Sequence, residues 1–147
     1  MDIQAVIPHR PPFLFVDRVT FCDRDRIVAE RTWRAEEDFY RGHYPSNPVT
    51  PGVLLCESVF QAAALLIAER IRLDGGSIEA SSVPVLARIG VTRFRRMVRP
   101  GQTAVMEVVY RETLKGFHFM EGKVLVDGKV AVALDFSLTL VGGSAAS

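Results

Sequence analysis

A long run from Val53 to Leu73 is almost continuously hydrophobic and constrains the fold more than any other feature of the chain. A helix with apolar side chains around most of its circumference is buried inside a domain instead of lying on its surface. Thr50 as N-cap and Pro51 at the first helical position predict where this helix begins. Gly75 and Gly76 predict where it ends. We therefore expect one central core helix.

Strand patterns lie on both sides of this helix. Hydrophobic and β-branched residues are bounded by turn residues, and Asp127-Gly128 is a strong signal for a type I′ hairpin. One long buried helix embedded in a mostly antiparallel sheet is an α+β fold. The predicted strands are Leu14–Cys22, Ile27–Arg34, Val83–Gly90, Gln102–Glu112, Phe117–Val126 and Lys129–Val141.

Composition narrows the class of protein. A chain of 147 residues with 48% hydrophobic residues and a net charge of +1 fits one soluble globular domain. We expect that domain over 1–141, followed by a flexible tail over 142–147. The amino terminus lacks a signal-peptide pattern and the apolar run contains charged residues, so we expect a cytoplasmic protein with no membrane insertion. Cys22 and Cys56 have no metal-ligand spacing, and we expect no metal and no cofactor.

Glu57 stands within the apolar run, in the second turn of the predicted helix. It lies too far along to close a capping box, because that position is occupied by Val53. Ser58 and Gln61 follow on the same side and extend a narrow polar strip. Burying an ionised carboxylate without a partner costs several kcal/mol. Glu57 is therefore either paired with one of the chain's many arginines as a structural acid, or it carries a proton for chemistry.

His43 precedes this acid in a segment rich in glycine and proline. A lone histidine in such a loop is most often a solvated residue. However, Pro45, Pro48 and Pro51 recur at every third position, which favours a stiff polyproline-like connector. We therefore expect the histidine to be held at a fixed offset from the start of the helix.

These residues resemble, in order and spacing, the 3-hydroxyacyl-acyl-carrier-protein dehydratases of the FabZ type. The resemblance spans nearly the whole chain and is most specific between the histidine and the acid. It implies a hot-dog fold, in which a curled antiparallel sheet wraps one long helix and the sheets of two subunits join in a homodimer; some members assemble three such dimers. The matching segments are 7–18 (IPHRPPFLFVDR), 42–45 (GHYP), 51–54 (PGVL), Glu57, Gln61, 93–96 (RFRR), 99–101 (RPG) and 126–130 (VDGKV).

The resemblance implies a role for each matching residue. His43 falls on the catalytic histidine and Glu57 on the catalytic acid, and in the family these two groups meet from different subunits. Gly52 falls on the glycine whose N–H faces the thioester carbonyl, with Val53 N–H beside it, and Gln61 falls on the glutamine next to the acid. Dehydration needs a base for the α-proton and an acid for the departing hydroxyl. Unpaired N–H groups at a helix start suit the developing oxyanion.

The sequence departs from the family pattern at several positions. Ser46 replaces a glycine, Tyr44 replaces a phenylalanine, and Phe60 replaces a small residue and is expected to narrow the acyl tunnel. Met97 and Gln102 replace a common proline and aspartate. A sister group that also isomerises the double bond carries Asp at the helix acid, so Glu57 favours dehydration alone.

Four arginines, Arg93, Arg95, Arg96 and Arg99, cluster on a strand and the following turn. Charge of this kind often blunts an exposed edge strand. Because the resemblance places the cluster near the tunnel mouth, we favour docking of an acidic acyl carrier protein that bears the 3-hydroxyacyl group. The net charge argues against nucleic-acid binding. His9 and His118 are expected to be structural or exposed.

Two other functions remain open at this point. A hot-dog thioesterase also uses an acid on the central helix, but this alternative leaves His43 without a clear role. A non-catalytic acyl-binding subunit of a multi-enzyme complex would bind acyl groups without turnover. Appearance of an unsaturated product without release of free thiol distinguishes dehydration from both.

Overall fold

The computed structural model describes residues 1–78 and 82–142 of the chain. The expected tail, apart from Gly142, lies outside the described residues. Two α-helices, a 3₁₀ turn and six strands follow one another along the described chain. In order they are α1 (Ile3–Val6), β1 (Arg18–Cys22), β2 (Arg26–Thr32), the 3₁₀ turn (Asp38–Arg41), α2 (Gly52–Leu73), β3 (Val83–Phe94), β4 (Thr103–Leu114), β5 (Phe117–Val126) and β6 (Lys129–Val141).

The six strands form one antiparallel sheet with the order β1-β2-β4-β5-β6-β3. Helix α2 packs against the inner face of this sheet, and buried side chains alternate along β2 and β4 as expected of a sheet with one covered face. This arrangement confirms the predicted α+β class and the hot-dog fold.

Helix α2 is the core of the molecule, as the hydrophobic run predicts. Almost every side chain from Leu55 to Ile67 is buried, so the helix is surrounded by protein on most of its circumference. By length and composition α2 is also the one span in the described chain that could cross a membrane, but 67% of its most apolar window is buried inside the fold. It is the interior helix of a folded domain.

The helix begins one residue later than the predicted cap. Pro51, not Thr50, is the N-cap residue, and no side chain caps the first turn. The prediction failed because Thr50 is engaged elsewhere: its hydroxyl lies 2.6 Å from the Tyr40 hydroxyl, and its N–H donates to Val98 O. The end agrees with the prediction, since Gly75 adopts a φ of +81° directly after the Asp74 C-cap.

The last two predicted strands, Phe117–Val126 and Lys129–Val141, have the predicted bounds. The type I′ turn is also confirmed, because Asp127 and Gly128 have φ values of 52° and 75°. The first strand is shorter than predicted and begins at Arg18, since Phe15 N–H donates to Oε1 of Gln61 on the helix instead of to a neighbouring strand. The predicted strand from Val83 continues through two bulges to Phe94.

The connector between His43 and the helix is not the continuous polyproline-like segment predicted from its prolines. Tyr44 adopts a φ of 56°, and Asn47 N–H donates to Tyr44 O, so the chain makes a tight turn. After this turn, residues 48–50 have no regular secondary structure and lead directly to Pro51. The spacing of the prolines could not reveal the turn, which depends on the residues between them.

Strand β3 lies at one edge of the sheet, and apolar side chains are exposed along it. A long exposed apolar edge is a surface on which a second strand can pair. The exposed apolar residues of this edge are Val85, Leu86, Ile89, Val91 and Phe94.

Candidate active site

Glu57 projects from the second turn of α2 into a mostly apolar setting. Its side chain is 23% exposed. Burial raises its pKa above the usual value, and the hydrogen bond from Gln61 opposes that change without cancelling it. The pairing with an arginine that was considered from sequence is not found in the described residues. The acid is therefore biased toward its protonated form, as proton donation requires.

Gln61 holds Glu57 and the N-terminal segment together. Its Nε2 donates to Oε1 of Glu57 at 3.1 Å and to Phe13 O at 3.0 Å, while its Oε1 accepts from Phe15 N–H at 2.7 Å. The side chain is only 1% exposed, so these bonds satisfy a buried amide. Ser58 does not extend the polar strip as predicted, since its hydroxyl donates to Leu55 O within the helix.

His43 is half-buried and is oriented by its own connector. Its Nδ1 lies 2.7 Å from Val49 O, and its ring contacts that of Tyr44 at a centroid distance of 4.6 Å. A carbonyl oxygen only accepts hydrogen bonds, so Nδ1 carries the proton and Nε2 presents a lone pair. This tautomer of a neutral imidazole is suited to remove a proton.

His43 and Glu57 do not bond each other within the described part of one chain. Across residues 1–78 and 82–142, no hydrogen bond or ion pair joins the two side chains. Each group is instead fixed by its own neighbours, the histidine by the connector and the acid by Gln61.

The start of α2 presents two backbone N–H groups outside the helical hydrogen-bond ladder. The first helical hydrogen bonds are donated by Leu54 and Leu55 to Pro51 O, so the N–H groups of Gly52 and Val53 precede the helical ladder. Val53 is 73% exposed. This end of the helix carries the positive end of its dipole, which favours negative charge beside these two N–H groups.

Gly52 is enclosed on one side by an aromatic ring that sequence reasoning did not connect with it. A Cβ atom at this position would lie 2.7 Å from Cε1 of Phe94, closer than real contacts allow. Glycine therefore lets the end of β3 pack directly over the first turn of the helix.

Side chains of the four arginines lie at or just beyond the end of β3, and all are exposed. Arg99 differs from the others, because it donates to Asn47 Oδ1 at 2.8 Å and to Pro48 O at 3.4 Å. It thus braces the connector that carries His43. In the part of the chain that the structure describes, the guanidinium groups of Arg93, Arg95 and Arg96 form no ion pair.

The positions that depart from the family pattern occupy different environments. Tyr44 is exposed at the positive-φ turn beside His43. Phe60 is buried and packs edge-to-face on Phe136, with ring centroids 5.0 Å apart. Ser46 is exposed within the turn.

His9, which was expected from the sequence to be structural or exposed, lies close to the acid. It is half-buried, and its Nε2 lies 3.6 Å from Oε1 of Glu57. The motif around it gives no sign of this contact, because His9 and Glu57 are far apart in sequence and meet only through folding. His118, in contrast, forms a hydrogen bond through its Nδ1 with the Tyr110 hydroxyl, at 2.6 Å.

Comparisons with known proteins identify the family of this chain. The model of the FabA-like domain family matches residues 7–135. A 3-hydroxyacyl-[acyl-carrier-protein] dehydratase FabZ of Coxiella burnetii is 39% identical over 131 residues, which cover 88% of this chain and 90% of that protein.

Two solved structures share the fold. The dehydratase heterocomplex ApeI:P of Xenorhabdus doucetiae has a TM-score of 0.84 at 14% identity and covers 99% of this chain and 94% of that chain. A hypothetical thioesterase with coenzyme A from Streptococcus pneumoniae has a TM-score of 0.64 at 9% identity and covers 85% of each chain. At these identities the likeness concerns the fold alone.

Proposed function

The chain belongs to the FabZ-type 3-hydroxyacyl-acyl-carrier-protein dehydratases of the FabA-like family, and from this premise we propose how its residues perform the reaction. The enzyme removes water from a 3-hydroxyacyl thioester and leaves a trans-2-enoyl thioester. We assign an acyl carrier protein as the carrier to which the 3-hydroxyacyl group is attached. The observation that supports this function most strongly is the half-buried Glu57, which an otherwise apolar helix holds through Gln61.

His43 is the base in this proposal. Its Nδ1 is held by Val49 O, and this contact leaves the Nε2 lone pair to take the α-proton of the substrate. As the Cα–H bond breaks, its electrons form the new double bond and the C–O bond to the hydroxyl breaks. The histidine becomes an imidazolium.

Glu57 is the acid, and its proton leaves with the hydroxyl as water. Burial raises the pKa of Glu57 and so favours the protonated carboxyl that this step requires. Gln61 fixes the carboxyl through Oε1. The N–H groups of Gly52 and Val53 face the thioester carbonyl and stabilise the negative charge that develops on its oxygen.

We propose that one complete site uses His43 from one subunit and Glu57 from another copy of the chain. The absence of a hydrogen bond or ion pair between the two groups in the described part of one chain is consistent with this arrangement. The exposed apolar side chains of β3 support pairing of two edge strands. A homodimer, alone or as three such dimers, is the assembly that these features favour.

We further propose that the acidic carrier protein docks on the arginine cluster. Arg93, Arg95 and Arg96 are exposed, and Arg99 joins the cluster to the segment that carries His43. Positive charge near the site would speed the encounter with an acidic partner. We also assign a single catalytic domain over 1–141 and a cytoplasmic location for this soluble enzyme.

Product analysis tests the reaction. The wild-type protein is expected to convert a 3-hydroxyacyl carrier substrate to the 2-enoyl thioester without releasing free thiol. Release of the thiol with no enoyl product would instead identify a thioesterase, and acyl binding without turnover would identify a non-catalytic subunit.

The residue assignment needs separate variants. His43→Ala and Glu57→Gln, each folded and of wild-type assembly, are expected to lower the rate by about a hundredfold or more. A wild-type rate in either variant would contradict the assigned roles.

A further inference from the structure

The N-terminal segment is fastened to the catalytic helix close to the acid. Gln61 receives the Phe15 N–H and donates to Phe13 O, so this segment cannot shift independently of α2. His9 lies just upstream and is placed with its Nε2 3.6 Å from Oε1 of Glu57. The same oxygen accepts the amide proton of Gln61. Two nitrogen atoms therefore converge on one carboxyl oxygen.

The surroundings of His9 indicate which ring nitrogen carries the proton. Its Nδ1 is buried and has no hydrogen-bond partner within the described residues, whereas its Nε2 faces an acceptor. A buried N–H without a partner costs more than a buried lone pair, so the proton belongs on Nε2. At 3.6 Å the contact is longer than a formed hydrogen bond, and contacts of this kind tighten when substrate binds.

His9 is also biased toward its neutral form. Burial lowers its pKa, and the positive charge of the adjacent Arg10 lowers it further. Glu57 faces His9 from α2, and its own pKa is raised by burial. Both shifts favour a protonated acid beside a neutral imidazole, and in that state His9 acts as a hydrogen-bond donor instead of an ionic partner.

We propose that His9 is a positioning residue for the acid: with Gln61 it directs a second N–H at Oε1 of Glu57 and so places the acid's proton on Oε2. An oxygen that receives two donors is a poor place for a proton, because the donors require its lone pairs. The free oxygen, Oε2, then carries the proton toward the departing hydroxyl. This inference rests on the proposed role of Glu57 as the acid.

Two substitutions separate positioning from mere packing. His9→Phe preserves the ring but removes the donor, and it is expected to lower kcat by about tenfold with little change in KM. The ionised Glu57 carboxylate also loses a hydrogen-bond donor, which raises the pKa of Glu57. The alkaline limb of the variant's pH–rate profile should therefore move to higher pH. His9→Gln retains an N–H and is expected to restore most of kcat and the wild-type limb.

The matched control is His118→Phe, which alters a half-buried histidine outside the proposed site, at its contact with Tyr110. Its kcat and pH profile should stay at wild-type values. An unchanged kcat in His9→Phe, or a His9→Gln variant as impaired as His9→Phe, would overturn the inference. The activity of the wild-type protein tests the proposed function separately. If the wild-type protein forms the enoyl product, the proposed function stands even when the inference about His9 fails. An inactive wild-type protein would refute the proposed function itself.

Discussion

Gln61 Nε2 donates to Oε1 of Glu57 at 3.1 Å, one turn away on the same buried helix. The same amide group also bonds the backbone of Phe13 and Phe15, so one side chain couples the acid to the segment that covers it. The position of the acid and the stability of the fold therefore depend on the same residue.

Replacing this glutamine should affect both properties. Gln61→Met preserves length and apolar volume but leaves the Phe15 N–H and Phe13 O without their partner. We expect the free energy of unfolding to fall by roughly 2–4 kcal/mol, because buried polar groups lose their hydrogen bonds. Urea unfolding measures this change, and the dehydration rate should fall with it.

Ser58→Ala is the control on the same helix. The Ser58 hydroxyl donates only to Leu55 O, so its removal should cost about 1 kcal/mol or less. Equal losses in Gln61→Met and Ser58→Ala would contradict the coupling role of Gln61.

The raised pKa of Glu57 predicts a dependence of stability on pH. The folded protein holds this proton more tightly than the unfolded chain, whose value is near 4.5. The stability that this proton contributes is fully present below the pKa of the unfolded chain. It is lost as the pH rises through the pKa of Glu57 in the folded protein. Glu57→Gln has no such loss, so its stability relative to the wild type should increase as the pH rises from acidic to neutral values.

Glu69 supplies a control of opposite sign. Its hydrogen bond from Arg72 lowers its pKa, so the stability it contributes is present above its ordinary pKa and is lost on acidification. Glu69→Gln should therefore become less stable than the wild type as the pH rises. Urea unfolding at acidic and at neutral pH checks both variants. If the difference in unfolding free energy between Glu57→Gln and the wild type does not change with pH, the burial argument is refuted.

Close packing at the start of α2 predicts an energetic coupling between two residues. Gly52→Ala would place a Cβ atom 2.7 Å from Phe94 Cε1, so the ring or the helix start must move. We expect Gly52→Ala to destabilise the protein less when combined with Phe94→Ala, with a coupling energy of about 1 kcal/mol.

Gly42→Ala is the matched glycine control. No atom lies within 4 Å of a Cβ built at Gly42, so the substitution should be close to neutral for stability. Additive effects of the Gly52 and Phe94 substitutions in a double-mutant cycle would show that the ring does not restrict this position.

The arginine cluster predicts a dependence on the carrier. Arg93→Glu with Arg95→Glu should raise KM for a carrier-linked substrate by about fivefold or more, and salt should reduce the difference. A short pantetheine-linked substrate should show no such change. Lys115→Glu, on the exposed turn between β4 and β5, is the charge-reversal control. Equal effects on both substrates would contradict carrier docking.

Local patterns in the sequence predict most of the elements. The apolar run determines the buried helix because few other structures bury so many consecutive side chains, and Asp127-Gly128 determines its hairpin through the positive φ of both residues. Glu57 was identifiable because a carboxyl in that run conflicts with its neighbours. These signals all act between residues that are close in the chain.

Long-range contacts account for what the sequence did not predict. Thr50 caps no helix because Tyr40 binds its hydroxyl, and the ring of Phe94 reaches Gly52 only once β3 has joined the sheet. The approach of His9 to Glu57 likewise depends on the hydrogen bonds of Gln61 to the N-terminal segment. No periodicity or turn motif encodes such contacts.

The most direct test of the shared site is the activity of a mixed dimer. His43→Ala and Glu57→Gln chains, coexpressed with different affinity tags, allow purification of a dimer that contains one of each. If each site combines His43 of one subunit with Glu57 of another, one of the two sites is intact. The mixed dimer should then show about half of the wild-type activity, although both parent variants are inactive. A mixed dimer as inactive as its parents would contradict a site formed between two chains.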